Sequence, residues 1–68
     1  MELLINNQSV TFKSDTLSIQ AMLDIQKPNM QKGIAIAVNN IVIPRMQWDT
    51  YMLNSSDDIL IITATQGG

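Results

Sequence analysis

Hydrophobic and polar positions change rhythm several times along the chain, and each change marks an element. Residues 2–5, Glu-Leu-Leu-Ile, form a short apolar run, and Asn6-Asn7-Gln8 after them is turn chemistry. Residues 9–13 alternate, with Val10 and Phe12 on one side and Ser9, Thr11 and Lys13 on the other. A period of two is strand geometry. Two such runs joined by asparagines predict a β-hairpin. Ser14, Asp15 and Thr16 then offer consecutive N-cap candidates, because their side-chain oxygens can accept from the free N–H groups of a first helical turn. A helix is expected from about Leu17 to Gln26. Leu17, Ala21 and Ile25 recur every four residues, Met22 widens that stripe, and Ile19 and Leu23 fall outside it.

The stretch 27–33 contains Pro28 and Gly33, which both argue for a connection. Residues 34–39, Ile-Ala-Ile-Ala-Val-Asn, form a nearly continuous apolar strand of the kind covered on at least one side. Asn39-Asn40 is a two-residue turn candidate, weaker than Asn-Gly. Ile41-Val42-Ile43 returns as a partner strand, and Pro44 ends it by removing a ladder donor. Residues 45–57 mix polar and apolar without a steady period and read as a short helical turn plus loop. Residues 58–64 are the last strand. No internal repeat or low-complexity segment is present. The order is β-β-α-β-β-β. With one helix, the economical solution is a mixed sheet of about five strands with that helix packed across one face, an α+β fold.

Composition removes whole classes of function. Sixty-eight residues make one small domain, and a hydrophobic fraction of 46% suffices for one modest core. There is no cysteine, hence no disulfide, thiolate nucleophile or cysteine-based metal site. There is no histidine, the usual general base near neutral pH and the commonest metal ligand. The acidic residues are scattered, and the adjacent pair Asp57-Asp58 reads as a solvated strand entrance and not as a metal site. Lys13, Lys27, Lys32 and Arg45 form no cluster, and the net charge of −2 does not suit a nucleic-acid surface. No apolar run has the length to cross a bilayer, and the start lacks the basic region and long apolar stretch of a signal peptide. Cytoplasmic expression is therefore expected, with no nucleic acid and no membrane as partner. An autonomous enzyme would have almost no side chains to work with.

The sequence closes on Gly67-Gly68, directly after the last strand, Thr65 and Gln66. Terminal glycines alone are explained by a frayed end. The internal segments change that reading. The element order, the size and the terminal Gly-Gly resemble the ubiquitin-like β-grasp family. Residues 36–48, Ile-Ala-Val-Asn-Asn-Ile-Val-Ile-Pro-Arg-Met-Gln-Trp, resemble the strand-turn-strand and Val-Pro-Arg-x-x-Trp signature of the sulfur carriers of thiamine biosynthesis, the ThiS family. Residues 57–68 resemble that family's last strand and tail. The likeness covers essentially the whole chain. The chain departs from the family at Ser56-Asp57, where Gly-Asp is common, and in the helix, where Ala21 and Met22 stand at or near the usual paired leucines.

The resemblance implies a β-grasp domain over 1–64 with a flexible Gly-Gly tail over 65–68, and the first and last strands paired parallel at the sheet centre. It implies a carrier acted on by other enzymes, with the Gly68 carboxylate as the site of adenylation and thiocarboxylate formation. Gly67, Gln66, Thr65 and Arg45 are then tail and partner-binding residues. No cofactor is bound by the chain; ATP is used by the activating partner. The implied partners are a ThiF-type adenylyltransferase, a cysteine desulfurase or rhodanese-type sulfur donor, and the thiazole synthase ThiG. They would meet the exposed sheet face and the tail. Ile41, Ile43, Ile59 and Ile61 are candidates for that face or for the core. Each reading has a plainer competitor: Arg45 as a solvated cation, Trp48 as a cover for the core edge, and Met22 as core, with Met46 and Met52 open. The alternatives at the level of function are a molybdopterin-synthase sulfur carrier, a ubiquitin-like protein modifier and an inert interaction module.

Overall fold

A computed structural model of the chain describes residues 1–29 and 32–63. Within them lie five strands and one α-helix: β1 (Glu2–Ile5), β2 (Gln8–Thr11), α1 (Ile19–Gln26), β3 (Ile34–Val38), β4 (Ile41–Ile43) and β5 (Asp58–Thr63). A single 3-10 turn spans Arg45–Gln47 between β4 and β5. The strands form one mixed sheet in the order β2-β1-β5-β3-β4. The last strand is central, parallel to β1 and antiparallel to β3. This is the β-grasp arrangement expected from the resemblance.

Both hairpins close through Asn-Asn. Ile5 pairs with Gln8 across Asn6-Asn7, and Val38 pairs with Ile41 across Asn39-Asn40. All four asparagines have positive φ, between 49° and 71°. Two consecutive positive φ values give the type I′ turn, whose twist matches that of the flanking strands. Asparagine tolerates this region because its short amide can bond locally.

The helix begins later than the sequence suggests. The N-cap is Ser18, not Ser14, Asp15 or Thr16, and its Oγ accepts from the Ala21 N–H at 3.0 Å. Residues 17–19 are instead held extended against 51–53. The Leu53 N–H donates to the Leu17 carbonyl at 2.8 Å, the Ile19 N–H donates to the Tyr51 carbonyl at 3.1 Å, and Ser18 bridges Met52. Leu17 is buried from this extended segment, so it is not part of the helical stripe. The face that meets the core is Ile19, Met22 and Leu23 at i, i+3 and i+4. Ala21 is half-buried and Ile25 is 59% exposed, so the stripe drawn through Leu17, Ala21 and Ile25 lies on the wrong side. An eight-residue helix is too short to stand alone in water, and packing of this face is what maintains it.

Strand alternation fills the other half of the core. Leu3 and Ile5 of β1, Ile36 and Val38 of β3, Ile43 of β4, and Ile59 and Ile61 of β5 point toward α1 and are buried. Phe12, Leu53 and Trp48 close the ends of this layer. No buried side-chain polar atom among the described residues lacks a hydrogen-bond partner.

The turn that leads into β5 accounts for the departure at Ser56. Its φ is 73°, a left-handed value that glycine adopts freely and serine does not. The Ser56 N–H donates to the Glu2 carbonyl at 2.7 Å, which ties the turn to β1. Asp57 supports it from the other side: its carboxylate accepts from the Asn54 N–H at 2.8 Å and from Asn39 Nδ2 at 3.0 Å. The left-handed turn is thus made by a non-glycine residue held by its neighbours. Ser56→Gly is expected to raise stability by about 0.5 kcal/mol, and Tm by about 2–4 °C, as left-handed strain is relieved and part of the gain is returned to the unfolded chain. Thermal unfolding checks this; an unchanged or lower Tm contradicts it.

Candidate functional site

Among the described residues the sheet has two faces and one α-helix. The face turned away from α1 is built by the residues between the core positions. Ala37 lies opposite both Val42 and Leu60, Ala35 opposite Ile62, and Leu4 opposite Asp58. These positions therefore share the open face. Leu4 is 41% exposed, Val42 64%, Leu60 45% and Ile62 45%. Ala37 is nearly covered between its two larger neighbours. The alanines make the floor of a shallow apolar strip, and the four larger side chains stand around it. Contiguous exposed apolar surface of this kind marks an interaction site.

This corrects one expectation. Ile41, Ile43, Ile59 and Ile61 do not divide between the two faces. The register places them all beside Ile36 or Val38 on the helix side. Ile43, Ile59 and Ile61 are buried there, while Ile41, at the end of the hairpin, is 66% exposed. Residues two apart on one strand point the same way, so the outward residues had to be the neighbours of these isoleucines: Val42, Leu60 and Ile62.

β5 supplies both faces at once. Ile59 and Ile61 anchor it in the core, while Leu60 and Ile62 display it on the open side. The strip therefore runs along the strand that leads to residues 64–68. Thr65, Gln66, Gly67 and Gly68, the expected reactive tail, lie outside the described residues, as does the boundary expected between residues 64 and 65.

Arg45 follows Pro44 into the 3-10 turn and is exposed. Its guanidinium carbon lies 4.5 Å from the centroid of the Trp48 ring, a cation–π contact. Trp48 itself is buried, and its indole N–H donates to the Ile43 carbonyl at 2.8 Å. Trp48 thus covers the edge of the core, as the plainer reading had it, and it satisfies the last carbonyl of β4 where Pro44 stops the ladder. Met22 is buried in the core, whereas Met46 and Met52 are exposed. Asp57-Asp58 is a hydrogen-bonded strand entrance: besides the Asp57 contacts, the Asp58 N–H donates to Asn39 Oδ1 at 3.0 Å. Among the described residues no three His, Cys, Asp or Glu side chains come together as a metal site would need.

A mixed sheet with its last strand central has parallels among known proteins. The sequence model of the ThiS family matches residues 3–68. The chain belongs to the ThiS family. The sulfur carrier protein ThiS of Escherichia coli (strain K12) is 29% identical over 68 residues, with 100% of both chains covered. The crystal structure of the thiamine biosynthesis protein ThiS from Geobacter metallireducens superposes with a TM-score of 0.88 at 20% identity over 100% of both chains. The solution structure of a thiamine biosynthesis protein from the same organism gives 0.81 at 20% identity, over 100% of this chain and 88% of that one. At that identity the two structures speak to the fold, and the family match carries the membership. No helix among the described residues is long and apolar enough to cross a membrane.

Two residues important to this arrangement escape a reading of the sequence. Asn6 and Asn39 register there only as turn formers, yet the side chain of each bonds to β5 or the turn before it. For the Arg45–Trp48 pair the contacts give an ordering that can be measured. Trp48→Phe keeps a ring but leaves the Ile43 carbonyl without its donor, and should cost about 1–3 kcal/mol. Arg45→Ala removes an exposed cation–π contact and should cost less than about 1 kcal/mol. Chemical denaturation of both variants checks the order, and an equal or greater loss from Arg45→Ala contradicts it.

Proposed function

We propose that this ThiS-family carrier transports sulfur on the α-carboxylate of Gly68. A carboxylate is a poor electrophile in water. Attack of its oxygen on the α-phosphate of ATP, with pyrophosphate leaving, gives an acyl-adenylate whose AMP is a good leaving group. Hydrosulfide attacking the carbonyl carbon expels AMP and leaves a terminal thiocarboxylate directly. A donor protein's persulfide expels AMP to give an acyl disulfide, which a second thiol then cleaves, releasing the thiocarboxylate and forming a disulfide with the donor. The partners supply the catalysis: a ThiF-type adenylyltransferase activates the carboxylate, a cysteine desulfurase or rhodanese-type protein provides sulfur, and the thiazole synthase ThiG consumes it. The chain itself holds no cofactor in this scheme, and ATP belongs to the activating partner. Use of ATP favours the cytoplasm as the compartment.

The observation that carries this reading is the family match reaching residue 68, through Gly67-Gly68, on a chain without cysteine or histidine. Chemistry that cannot come from side chains can come from the terminal carboxylate. The geometry supports it. The apolar strip of Leu4, Val42, Leu60 and Ile62 offers a docking surface, and the strand that carries two of these residues leads to the tail. Glycines suit the end of such a tail, since without Cβ atoms they pass a narrow channel and adopt φ values closed to other residues. Holding them costs on the order of 1–2 kcal/mol of backbone entropy per residue, which the partner must offset. Arg45, exposed beside Trp48, is a partner-binding residue in this reading, with Thr65, Gln66 and Gly67 in the channel.

The test is the intact mass of the chain after incubation with ATP, the adenylyltransferase and a sulfide source. An AMP adduct should appear first, followed by exchange of one oxygen for sulfur, both mapped to the C-terminal peptide. Deletion of Gly68 should abolish both while leaving the thermal transition unchanged. Gly67→Ala should slow adduct formation, on the order of tenfold, without altering the fold. An unchanged mass in the presence of a demonstrably active partner overturns the proposal.

A further inference from the structure

β1 is too short for the strand it accompanies. It pairs with β5 at only two positions, Leu4 with Asp58 and Ile5 with Ile59, and then reverses at Asn6-Asn7 into β2. β3 continues along the other side of β5 as far as Thr63. Beyond Ile59, β5 would therefore be bonded on one side only. The first residue of the reversal compensates. The Asn6 N–H donates to the Ile59 carbonyl at 2.9 Å, the last main-chain bond between the two segments. The Asn6 side chain then accepts from the Ile61 N–H at 2.8 Å and donates to the Ile61 carbonyl at 3.4 Å. A side-chain amide carries the same acceptor and donor as a peptide group. Asn6 thus extends β1 by one pairing position that the backbone does not reach.

We propose that Asn6 is a positioning residue: its amide takes the place of the missing strand residue, pins β5 at Ile61 on the β1 side, and fixes how the chain leaves the sheet toward Gly68. Three features converge on it. Its φ of 50° turns the backbone out of β1 while leaving the amide beside β5. The residue it holds, Ile61, is buried on the helix side and stands in sequence between two residues of the open face, Leu60 and Ile62. Gly68 is the seventh residue after Ile61, a span of at most about 25 Å when extended. A partner that grips the open face and the tail together depends on the relation between them, and the clamp sets that relation at its origin. This role in activation rests on the carrier reading; the clamp itself does not.

Asn6→Gly is the informative variant, because it accepts the positive φ and removes only the side chain. Asn7→Gly, at the next position of the same turn, is the control. Amide exchange on the free protein should show the Ile61 N–H about tenfold less protected in Asn6→Gly and near wild type in Asn7→Gly, with amides of Leu23 and Ile36 alike in both. In adenylation, KM for the carrier should rise about threefold to tenfold in Asn6→Gly with kcat within about twofold, as the partner must order what the clamp no longer holds. Asn6→Asp, which keeps the acceptor for the Ile61 N–H, should recover most of the exchange protection and of KM. Equal protection of Ile61 in the two glycine variants overturns the clamp. Lost protection with unchanged KM overturns its role in activation. Failure of the wild-type chain to be adenylated overturns the carrier reading and that role together, while the exchange result still decides the clamp.

Discussion

β5 lies between β1 and β3, and the rest of the structure depends on that placement. Being central, it must satisfy main-chain groups on both edges, and being the last strand it must do so with segments distant in sequence. β1 reaches it from the N-terminus in parallel, and β3 meets it antiparallel. Neither connection is a hairpin, so the sheet is joined only when its two ends come together. Ile59 and Ile61 make that joining favourable by filling the layer under α1. Each such side chain contributes about 1.5–3 kcal/mol when fully buried. The short helix, the extended segment 17–19 and the cover of Trp48 are arranged around the same layer.

One consequence is an asymmetry between the faces. Among the described residues one eight-residue α-helix covers one side of a five-stranded sheet. The uncovered side keeps alanines at its centre and larger apolar residues around them. The alternation that buries Ile59 and Ile61 necessarily turns Leu60 and Ile62 outward. Core and docking surface are thus two readings of one strand. In the carrier reading the group the partner modifies, on Gly68, stands only six positions along the chain from Ile62 of the surface that finds the partner. In that reading a scaffold without cysteine or histidine is no handicap, since the chemistry belongs to Gly68.

Much of this was legible in the sequence. Apolar runs and one alternating run, bounded by Asn-Asn and by Pro44, marked the strands closely, because turn chemistry and missing donors act locally. The helix start was not, because Ser14, Asp15 and Thr16 are equally good caps in isolation. What decides between them and Ser18 is the bonding of residues 17–19 to 51–53, which no local pattern reveals. The same tertiary contact buries Leu17 from outside the helix and so misdirects the stripe. The open face was legible in principle: Ile41 and Ile43, like Ile59 and Ile61, are two apart and share a direction, and the outward residues lie between them. The work of Asn6 and Asn39 was not, since an asparagine in a turn carries the same letter whether its amide meets water or a strand.

The claim on which the functional reading stands is that the open face and the tail act together as one docking unit. Titrating the isotope-labelled chain with the activating enzyme, in the absence of ATP, and following its amide resonances tests this most directly. Perturbations should concentrate at Ala37, Val42, Leu60 and Ile62 and continue through residues 64–68, with Ile19, Met22 and Leu23 of α1 undisturbed. Perturbations centred on α1, or confined to the tail with the open face silent, would contradict it.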